Sequence, residues 1–219
     1  MTRRMYSVTK YCCFVGLLLI SVQSLVVKAD TTQTHNTNII LVVGDSISAA
    51  YGLNMQEGWV SLLQMQLDSD GYQHYQVINA SISGNTTGDG VGRLPKLLKV
   101  HQPKIVIIEL GGNDGLRGYP IKIMTRNLQK MVDLSVAFKA NVLLAGIEIP
   151  PNYGSYYTGL FRQGFQTIAN TNNIAFLPFI LEGVAIDPTL MQNDGIHPVA
   201  AAQPKMLSNV WDYLEPLLY

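Results

Sequence analysis

The sequence carries a serine, an aspartate and a histidine in contexts that suit a nucleophilic hydrolase. Ser46 follows the apolar run 39–43 and a Gly-Asp pair, so it stands where a buried strand is expected to end. Asp194 and His197 occur together in the segment Asp-Gly-Ile-His-Pro. A serine hydroxyl is a poor nucleophile until an imidazole takes its proton, and the imidazole needs a carboxylate to fix its tautomer. The three side chains therefore predict acyl transfer, with Ser46 as nucleophile, His197 as base and Asp194 as the residue that orients His197.

Two further loops contain groups that could bind the negative oxygen formed in acyl transfer. Gly84 follows the second predicted strand in the segment Ser-Ile-Ser-Gly-Asn-Thr, and Asn113 follows the third in Gly-Gly-Asn-Asp-Gly. The predicted donors of this oxyanion hole are the backbone N–H groups of Ser46 and Gly84 and the side-chain amide of Asn113. Glycine suits position 84 because a residue without Cβ lets the backbone approach the reacting centre.

Each of these segments also has a purely structural explanation. Ser46 and Asp194 could cap helices, and Gly-Asn and Asn-Asp-Gly sequences are common in turns. Asp194 and His197 could be two metal ligands, but no third His or Cys lies at ligand spacing, so no metal is predicted. A non-catalytic module that holds an anion at its Gly-rich loops is another alternative, although it would leave Asp194 and His197 without a role.

Apolar runs alternate with amphipathic stretches along the chain, which is typical of βαβ units and a parallel sheet. The strands are predicted at 39–43, 75–79, 105–110, 141–147 and 174–177, and the helices at 57–69, 89–101, 120–139, 155–172 and 199–217. This alternation predicts an α/β fold: one three-layer α/β/α domain with a five-stranded parallel, flavodoxin-like sheet in the order 2-1-3-4-5. In such sheets ligands bind outside the carboxyl ends of the strands, where the loops above would meet. Pro198 suits the first turn of the last helix, which would place Asp194 and His197 just outside it.

The first 29 residues have the features of a cleaved signal peptide. Arg3, Arg4 and Lys10 precede an apolar run, 11–27, that is short for a membrane span, and small or apolar residues end the segment at Ala29. We predict a signal peptide over 1–29, a flexible lead-in over 30–38 and the catalytic domain over 39–219. The protein would be exported without stable membrane insertion, to the periplasm if the source has an outer membrane and otherwise to the medium.

Composition limits the partners and the chemistry. Cys12 and Cys13 are the only cysteines and leave with the signal peptide, which excludes a cysteine nucleophile and a thiolate metal site. The chain after Ala29 has 11 basic and 15 acidic residues, a formal charge of −4, and so no basic field to attract nucleic acid. We expect a monomer whose partner is a small molecule.

The motifs resemble those of SGNH hydrolases of the GDSL type. The segments GDSISAAYGL, VINASISGNTT, ELGGNDGLRG, PPNYG and MQNDGIHP occur in the order found in that family, and the similarity runs from about Ile39 to the carboxyl terminus. They are most similar to the exported bacterial acyl-CoA thioesterase I subgroup, also described as lysophospholipases and arylesterases. The resemblance implies a flavodoxin-like sheet, the triad and oxyanion hole given above, and no metal or organic cofactor. Ser48 stands where the Gly-x-Ser-x-Gly elbow of ordinary α/β-hydrolases needs glycine, so that elbow is disfavoured.

The loops after the third and fourth predicted strands supply an apolar and aromatic set that we expect to form an acyl groove. Its members are Leu116, Tyr119, Pro120, Ile149, Pro150, Tyr153 and Tyr157. Ordinary packing between helices would explain the same residues.

The residues around the PNYG loop bear on the substrate. Glu148, Ser155 and Tyr156 stand near that loop, where thioesterase I relatives carry arginines, and a glutamate would repel the phosphates of coenzyme A. The expected substrates are acyl esters and thioesters, with lysophospholipids and simple esters favoured over fatty acyl-CoA. Deacetylation of carbohydrate by the same triad is the alternative enzyme activity.

Overall fold

Five parallel β-strands form the centre of the protein in the computed structural model, which describes residues 37–219 together with residues 1, 2, 5 and 7. The strands are β1 (Asn38–Gly44), β2 (Tyr75–Asn79), β3 (Ile105–Glu109), β4 (Asn141–Ala145) and β5 (Ala175–Leu177). Their order in the sheet is β2-β1-β3-β4-β5, and every neighbouring pair is parallel. The α/β fold class and the strand order predicted from the sequence are therefore confirmed.

The predicted signal peptide, its cleavage after Ala29 and most of the lead-in lie outside the described residues. β1 takes in Asn38, which the sequence had assigned to the lead-in. Residues 37–219 all belong to one compact unit. None of the helices over the part of the chain that the structure describes is long and apolar enough to cross a membrane.

Helices cover the sheet in two groups. They are α1 (Trp59–Ser69), α2 (Thr87–His101), α3 (Gly112–Leu116), α4 (Ile121–Ala137), α5 (Ser155–Asn172) and α6 (Gln203–Leu214). α1 packs against α6, while α2 packs against α4 and α4 against α5. The predicted helices all occur with shifted ends, except that α5 matches its predicted bounds. The short α3 is an addition, because Gly111 to Gly115 read as a turn in the sequence.

The hydrophobic core consists of buried residues from the sheet and from the helix faces that pack against it. The runs 40–43 of β1 and 105–108 of β3 have no exposed surface, as expected of central strands covered on both faces. In α1, Val60, Leu63 and Leu67 are buried on one face of the helix, as the 3.6-residue period of an amphipathic helix requires.

The start of the last helix differs from the prediction. α6 begins at Gln203, and Pro204 occupies its first turn, after a short 3-10 turn at Ala200–Ala202. Pro198 instead forms an isolated antiparallel bridge with Met191. The placement of Pro198 in the first helical turn was therefore wrong, because several prolines near this point suit a helix start and the sequence does not choose among them.

Candidate active site

Ser46 lies in the tight turn that follows β1, at the carboxyl end of the sheet. The turn is closed by the N–H of Ala49, which donates to the carbonyl oxygen of Asp45 over 2.9 Å. The Asp45 side chain braces the turn from within, since its Oδ1 accepts the N–H of Ile47 over 3.0 Å. The Ser46 hydroxyl is thus presented from a backbone held by several hydrogen bonds.

His197 lies between Ser46 and Asp194. Its Nε2 is 2.9 Å from Ser46 Oγ, and its Nδ1 is 2.7 Å from Asp194 Oδ2. In the neutral tautomer with the hydrogen on Nδ1, the imidazole donates to Asp194 and leaves Nε2 free to accept the serine proton. The structure therefore brings the three predicted residues into the order that proton transfer from serine requires.

Asp194 is bound to the loop that it orients. Its Oδ1 accepts the N–H groups of Ile196 and His197, at 2.9 and 3.0 Å. The backbone N–H of His197 is the largest cause that lowers the pKa of Asp194, to about 2, followed by the His197 imidazole and the N–H of Ile196. At neutral pH the residue is a carboxylate that fixes the imidazole orientation.

The loop that carries His197 is tied to the loop that carries Ser46. Gln192 donates from Nε2 to the carbonyl oxygens of Tyr51 and Pro198, at 2.8 and 3.0 Å. Its backbone N–H also donates to the carbonyl oxygen of His197 over 2.7 Å. One glutamine thus links the two segments that must keep the Ser46–His197 distance short.

Gly84 and Asn113 line the same cavity as Ser46 and His197. Gly84 has a φ of +79°, a conformation that favours glycine. Asn113, near the start of α3, donates from Nδ2 to Asp45 Oδ2 over 3.0 Å and to the carbonyl oxygen of Asn85 over 3.1 Å. The predicted oxyanion-hole residues therefore lie beside the serine, and the Asn113 amide is held in place by two acceptors.

Asp45 is buried behind the serine turn with no cation hydrogen-bonded to it among the described residues. Only 2% of its surface is exposed. Burial raises the pKa of Asp45 to about 6, against the opposing effects of the Ile47 N–H and the Asn113 amide. Asp45 therefore titrates well above an ordinary aspartate.

A cavity of about 630 Å³ opens beside Ser46 and His197, and part of the predicted acyl groove is found in its wall. Leu116, Ile149 and Pro150 line it as expected. Most of its lining is apolar, which suits an acyl chain.

Four predicted groove residues lie outside this lining: Tyr119, Pro120, Tyr153 and Tyr157. The hydroxyl of Tyr153 donates to the carbonyl oxygen of Leu116 over 2.7 Å, and that of Tyr157 to the carbonyl oxygen of Tyr119 over 2.8 Å. Their role is to fasten the start of α5 to the loop after α3. Pro120 lies at the N-terminus of α4. The assignment of Tyr119, Pro120, Tyr153 and Tyr157 to the groove stays a prediction, because sequence alone does not tell a tyrosine that braces a loop from one that lines a cleft.

Sequence reasoning missed a further part of the cavity wall and one aromatic neighbour of the histidine. The wall comes from the irregular segment between β5 and α6 and contains Phe179, Leu181, Ile186, Met191 and Ile196. The ring of Tyr51 lies 4.4 Å from the His197 ring, centroid to centroid. The sequence did contain a signal for the wall, namely an apolar segment without helical or strand periodicity. The signal for the aromatic ring was the position of Tyr51 within the serine motif.

Glu148 lines the cavity, but its charge is paired. Arg162 of α5 donates from Nε to Glu148 Oε1 over 2.7 Å. This contact raises the pKa of Arg162. Arg162 therefore pairs with the glutamate, although Arg162 itself is not among the residues that line the cavity.

No group of three or more His, Cys, Asp or Glu side chains that could hold a metal ion occurs within the described part of the chain. The chemistry that the arrangement can perform is proton transfer from Ser46 to His197 and stabilisation of negative charge beside Gly84 and Asn113.

Known proteins are similar to this one in sequence and in fold. Residues 42–203 match the GDSL-like Lipase/Acylhydrolase family. Esterase TesA of Pseudomonas aeruginosa is 51% identical over 85% of this chain and 92% of its own length. The arylesterase of Vibrio mimicus is 47% identical over 75% of this chain and 82% of its own. Thioesterase 1/protease 1/lysophospholipase L1 of Escherichia coli K12 is 40% identical over 86% of this chain and 88% of its own.

Solved structures agree with the sequence relatives. The crystal structure of TesA superposes with a TM-score of 0.80 at 51% identity, covering 82% of this chain and 99% of that one. The psychrotrophic esterase EstA from Pseudoalteromonas sp., in a form inhibited by monoethylphosphonate, gives 0.79 at 44% identity, covering 83% and 98%. The family match covers most of the chain, and these relatives align along nearly the whole of its described length. The protein therefore belongs to the GDSL-like lipase/acylhydrolase family, the SGNH hydrolases.

Proposed function

We propose that this protein hydrolyses acyl esters and thioesters through an acyl-enzyme on Ser46. The observation that carries the proposal is the continuous hydrogen-bonded chain from Ser46 Oγ through His197 to Asp194, with separations of 2.9 and 2.7 Å, at the edge of an apolar cavity. Relatives named as an esterase, an arylesterase and a thioesterase/lysophospholipase support the same reaction class.

In the proposed mechanism Ser46 Oγ attacks the acyl carbon while His197 Nε2 takes the hydroxyl proton. Collapse of the tetrahedral intermediate breaks the bond to the alcohol or thiol, which leaves with the proton from His197. His197 then takes a proton from water as the water oxygen attacks the acyl carbon. Collapse of this second tetrahedral intermediate breaks the bond to Ser46 Oγ, which takes the proton back from His197, and the fatty acid is released. Asp194 stays ionised throughout and stabilises the imidazolium formed in each step.

The oxyanion hole is proposed to consist of the N–H groups of Ser46 and Gly84 and the amide of Asn113. In the resting protein Asp45 and the carbonyl of Asn85 accept the Asn113 hydrogens, so the side chain is held in one orientation before substrate binds. A donor that is already oriented has only to exchange one of these two acceptors for the developing oxyanion.

The proposed acyl site is the apolar part of the cavity, whose lining includes Leu116, Ile149, Leu181, Ile186 and Met191. Lysophospholipids and simple esters suit this lining. Glu148 lines the cavity with its carboxylate paired to Arg162, which offsets part of the repulsion that a phosphate-bearing substrate would meet.

We further propose that residues 1–29 direct export and are removed, that 30–38 form a lead-in and that the domain over 39–219 acts as a monomer. Export would place the enzyme in the periplasm of a source with an outer membrane. The Arg3, Arg4 and Lys10 cluster followed by the apolar run 11–27 supports this.

A serine-reactive fluorophosphonate probe tests the proposal directly. The wild-type protein should be labelled, Ser46→Ala should not, and Ser155→Ala should be labelled like the wild type, because Ser155 is exposed and lies outside the cavity lining. Hydrolysis of p-nitrophenyl esters, lysophospholipids, acyl-CoA and acetylated sugars should then rank the substrates. Labelling of Ser46→Ala, or none of the wild type, would contradict Ser46 as nucleophile.

A further inference from the structure

A carboxyl group that the proposed mechanism does not use is buried directly beneath the serine turn. Glu109 is the last residue of β3, pairs with Gly44 across the β1–β3 register and has no exposed surface. Its Oε2 accepts the hydroxyl of Ser48 over 2.8 Å. The backbone N–H groups of Asp45 and Ser48, like the Ser48 hydroxyl, lower the pKa of this carboxyl group. Glu109 therefore touches the chain on both sides of Ser46, through its register partner Gly44 before it and the Ser48 hydroxyl after it.

The contact explains why glycine precedes Asp45 in the motif. A Cβ at Gly44 would lie 2.8 Å from Glu109 Oε2 and 2.8 Å from Ser48 Oγ. Such distances are too short for non-bonded atoms, so a side chain at position 44 would push the carboxyl away from the turn. Gly44 and Glu109 thus form one packing unit beneath the nucleophile.

The charges around Glu109 favour its neutral form. Asp45, at the end of β1, is the neighbouring titratable group, and Arg93 of α2 directs its guanidinium to the carbonyl oxygens of Gly44 and Ala80. Burial, and then the adjacent Asp45 carboxyl, raise the pKa of Glu109 well above that of an ordinary glutamate. Glu109 Oε1 has no hydrogen-bond partner among the described residues. A carboxylic acid with an unpartnered oxygen in this buried position costs less than a carboxylate would.

We propose that Glu109 is a positioning residue that, through the hydrogen bond its Oε2 accepts from Ser48, holds the turn carrying Ser46 so that Oγ stays aligned with His197 Nε2. The inference rests on the proposed role of Ser46 as nucleophile. Glu109 acts through the backbone and through Ser48 and does not touch the substrate.

A purely structural role and a positioning role differ in what they change. Loss of core packing alone would lower the free energy of unfolding and leave kcat of the folded protein as it was. Loss of alignment should lower kcat and the rate of phosphonylation of Ser46 while KM stays nearly constant, because the substrate cavity is intact. Misplacement of a reacting group by about 1 Å is enough to cost about 10²-fold in rate.

The test compares Glu109→Gln, Glu109→Leu and Ser48→Ala with the wild type, and uses Ser135→Ala as control. Ser135 is also fully buried, but its Oγ donates to the carbonyl oxygen of Met131 within α4. For each folded variant, the rate of labelling by the fluorophosphonate probe, kcat and KM are measured, with the folded fraction checked by circular dichroism.

We expect Glu109→Leu to lose about 10²-fold in both kcat and labelling rate with KM little changed. Glu109→Gln, which keeps an uncharged acceptor, should stay close to wild type. Ser48→Ala should lose activity in the same sense but less, and Ser135→Ala should keep wild-type kcat.

Several results would overturn the inference. A folded Glu109→Leu that is labelled at the wild-type rate would show that the turn holds itself, and a Glu109→Gln as slow as Glu109→Leu would show that a charged carboxylate is needed. If Glu109→Leu does not fold, a wild-type kcat in Ser48→Ala would count against the proposal. Absence of labelling in the wild type would instead overturn the proposed function, and with it this inference, so the two failures are distinguishable.

Discussion

The side chain of Asn113 is held in one orientation and also has a proposed role in the reaction. Its Nδ2 group has acceptors in Asp45 and in the carbonyl of Asn85, so the amide is oriented without substrate. An oxyanion formed on the Ser46 adduct is a stronger acceptor than a neutral carbonyl and would compete for one of these hydrogens. The amide should therefore contribute mainly in the transition state.

We predict that Asn113→Ala lowers kcat by about 10² to 10³ while KM changes little, because one donor to the oxyanion is lost. Steady-state kinetics on a p-nitrophenyl ester measures both constants. Asn127→Ala is a suitable control, since Asn127 donates its amide to Thr87 Oγ1 and lies outside the cavity lining. A rise in KM alone would make Asn113 a substrate-positioning residue instead.

Ser46 and His197 should behave as one unit. We predict that Ser46→Ala and His197→Ala each lower kcat by several orders of magnitude, and that the double variant is hardly slower than either, because a base without its nucleophile has nothing to activate. The check is a double-mutant cycle of kcat on folded variants. Losses that multiply would mean that the two side chains act independently.

The sequence could place Ser46, Gly84, Asn113, Asp194 and His197 together because each lies in a loop at the same edge of a parallel sheet. It could not reveal the partner of Glu148, because that contact depends on which side of α5 Arg162 occupies. It also could not reveal Glu109, since a glutamate at the end of an apolar strand looks like a surface residue until the register with Gly44 is known.

At the scale of elements, the loop after β4 sets the depth of the acyl site. Ile149 is buried, and a Cβ at Gly115 of α3 would lie 2.5 Å from Ile149 Cγ2, so α3 is packed tightly behind this side chain. A larger residue at 149 has no room toward Gly115, and position 149 lines the cavity. The length of acyl chain that fits should therefore respond to this position.

We predict that kcat/KM of the wild type rises from acetyl to medium-chain esters and then levels off, since each buried CH₂ contributes up to ~0.8 kcal/mol, or about fourfold. Ile149→Trp should shorten the preferred chain and spare acetyl ester turnover. Tyr156→Trp, at an exposed position on α5, should leave the profile unchanged. The measurement is a series of p-nitrophenyl esters, and a wild type fastest on acetyl esters would favour a carbohydrate esterase.

Two glycines of α5 should respond oppositely to alanine. A Cβ at Gly159 meets nothing within 4 Å, whereas one at Gly164 would lie 2.5 Å from Thr125 Cγ2 of α4. We predict that Gly159→Ala stabilises the protein by about 0.5–1 kcal/mol through helix propensity. Gly164→Ala should destabilise it by about 1–3 kcal/mol through overpacking. Urea unfolding gives both values, and equal effects would mean that α4 and α5 do not pack closely at Gly164.

The elements themselves were largely predictable because their hydrophobic periods are strong. Thr86 and Asp89 form a capping box that starts α2 two residues before the predicted bound, a signal that the sequence contained. α3 was not predictable in the same way, because it is one short turn of Gly-rich sequence. It is fixed by two hydrogen bonds that the Asp114 carboxylate accepts from the N–H and the hydroxyl of Thr87. Tertiary contacts determined that element more than local propensity did.

At the scale of the whole molecule, two site carboxyls make opposite contributions to stability as pH changes. Burial raises the pKa of Asp45 to about 6, so its contribution is fully present below the unfolded value and is lost as pH rises through about 6. The hydrogen bonds of the His197 loop lower the pKa of Asp194 to about 2, so its contribution is present above the unfolded value and is lost as pH falls toward about 2. These two carboxyls therefore make the free energy of unfolding change with pH, one as pH rises through about 6 and the other as pH falls toward about 2.

We predict that Asp45→Asn becomes more stable relative to wild type as pH rises from about 4 to about 7, because the variant has no buried carboxylate to form. The shift of the Asp45 pKa from 3.8 to about 6 corresponds to about 3 kcal/mol in that window. Asp194→Asn should show the opposite trend, with a stability loss at about pH 7 that shrinks as pH falls below about 4. Urea unfolding followed by circular dichroism at several pH values measures both differences, and each variant serves as the control for the other. If the Asp45→Asn difference does not change with pH, Asp45 titrates normally despite its burial, and the serine turn holds an ordinary carboxylate.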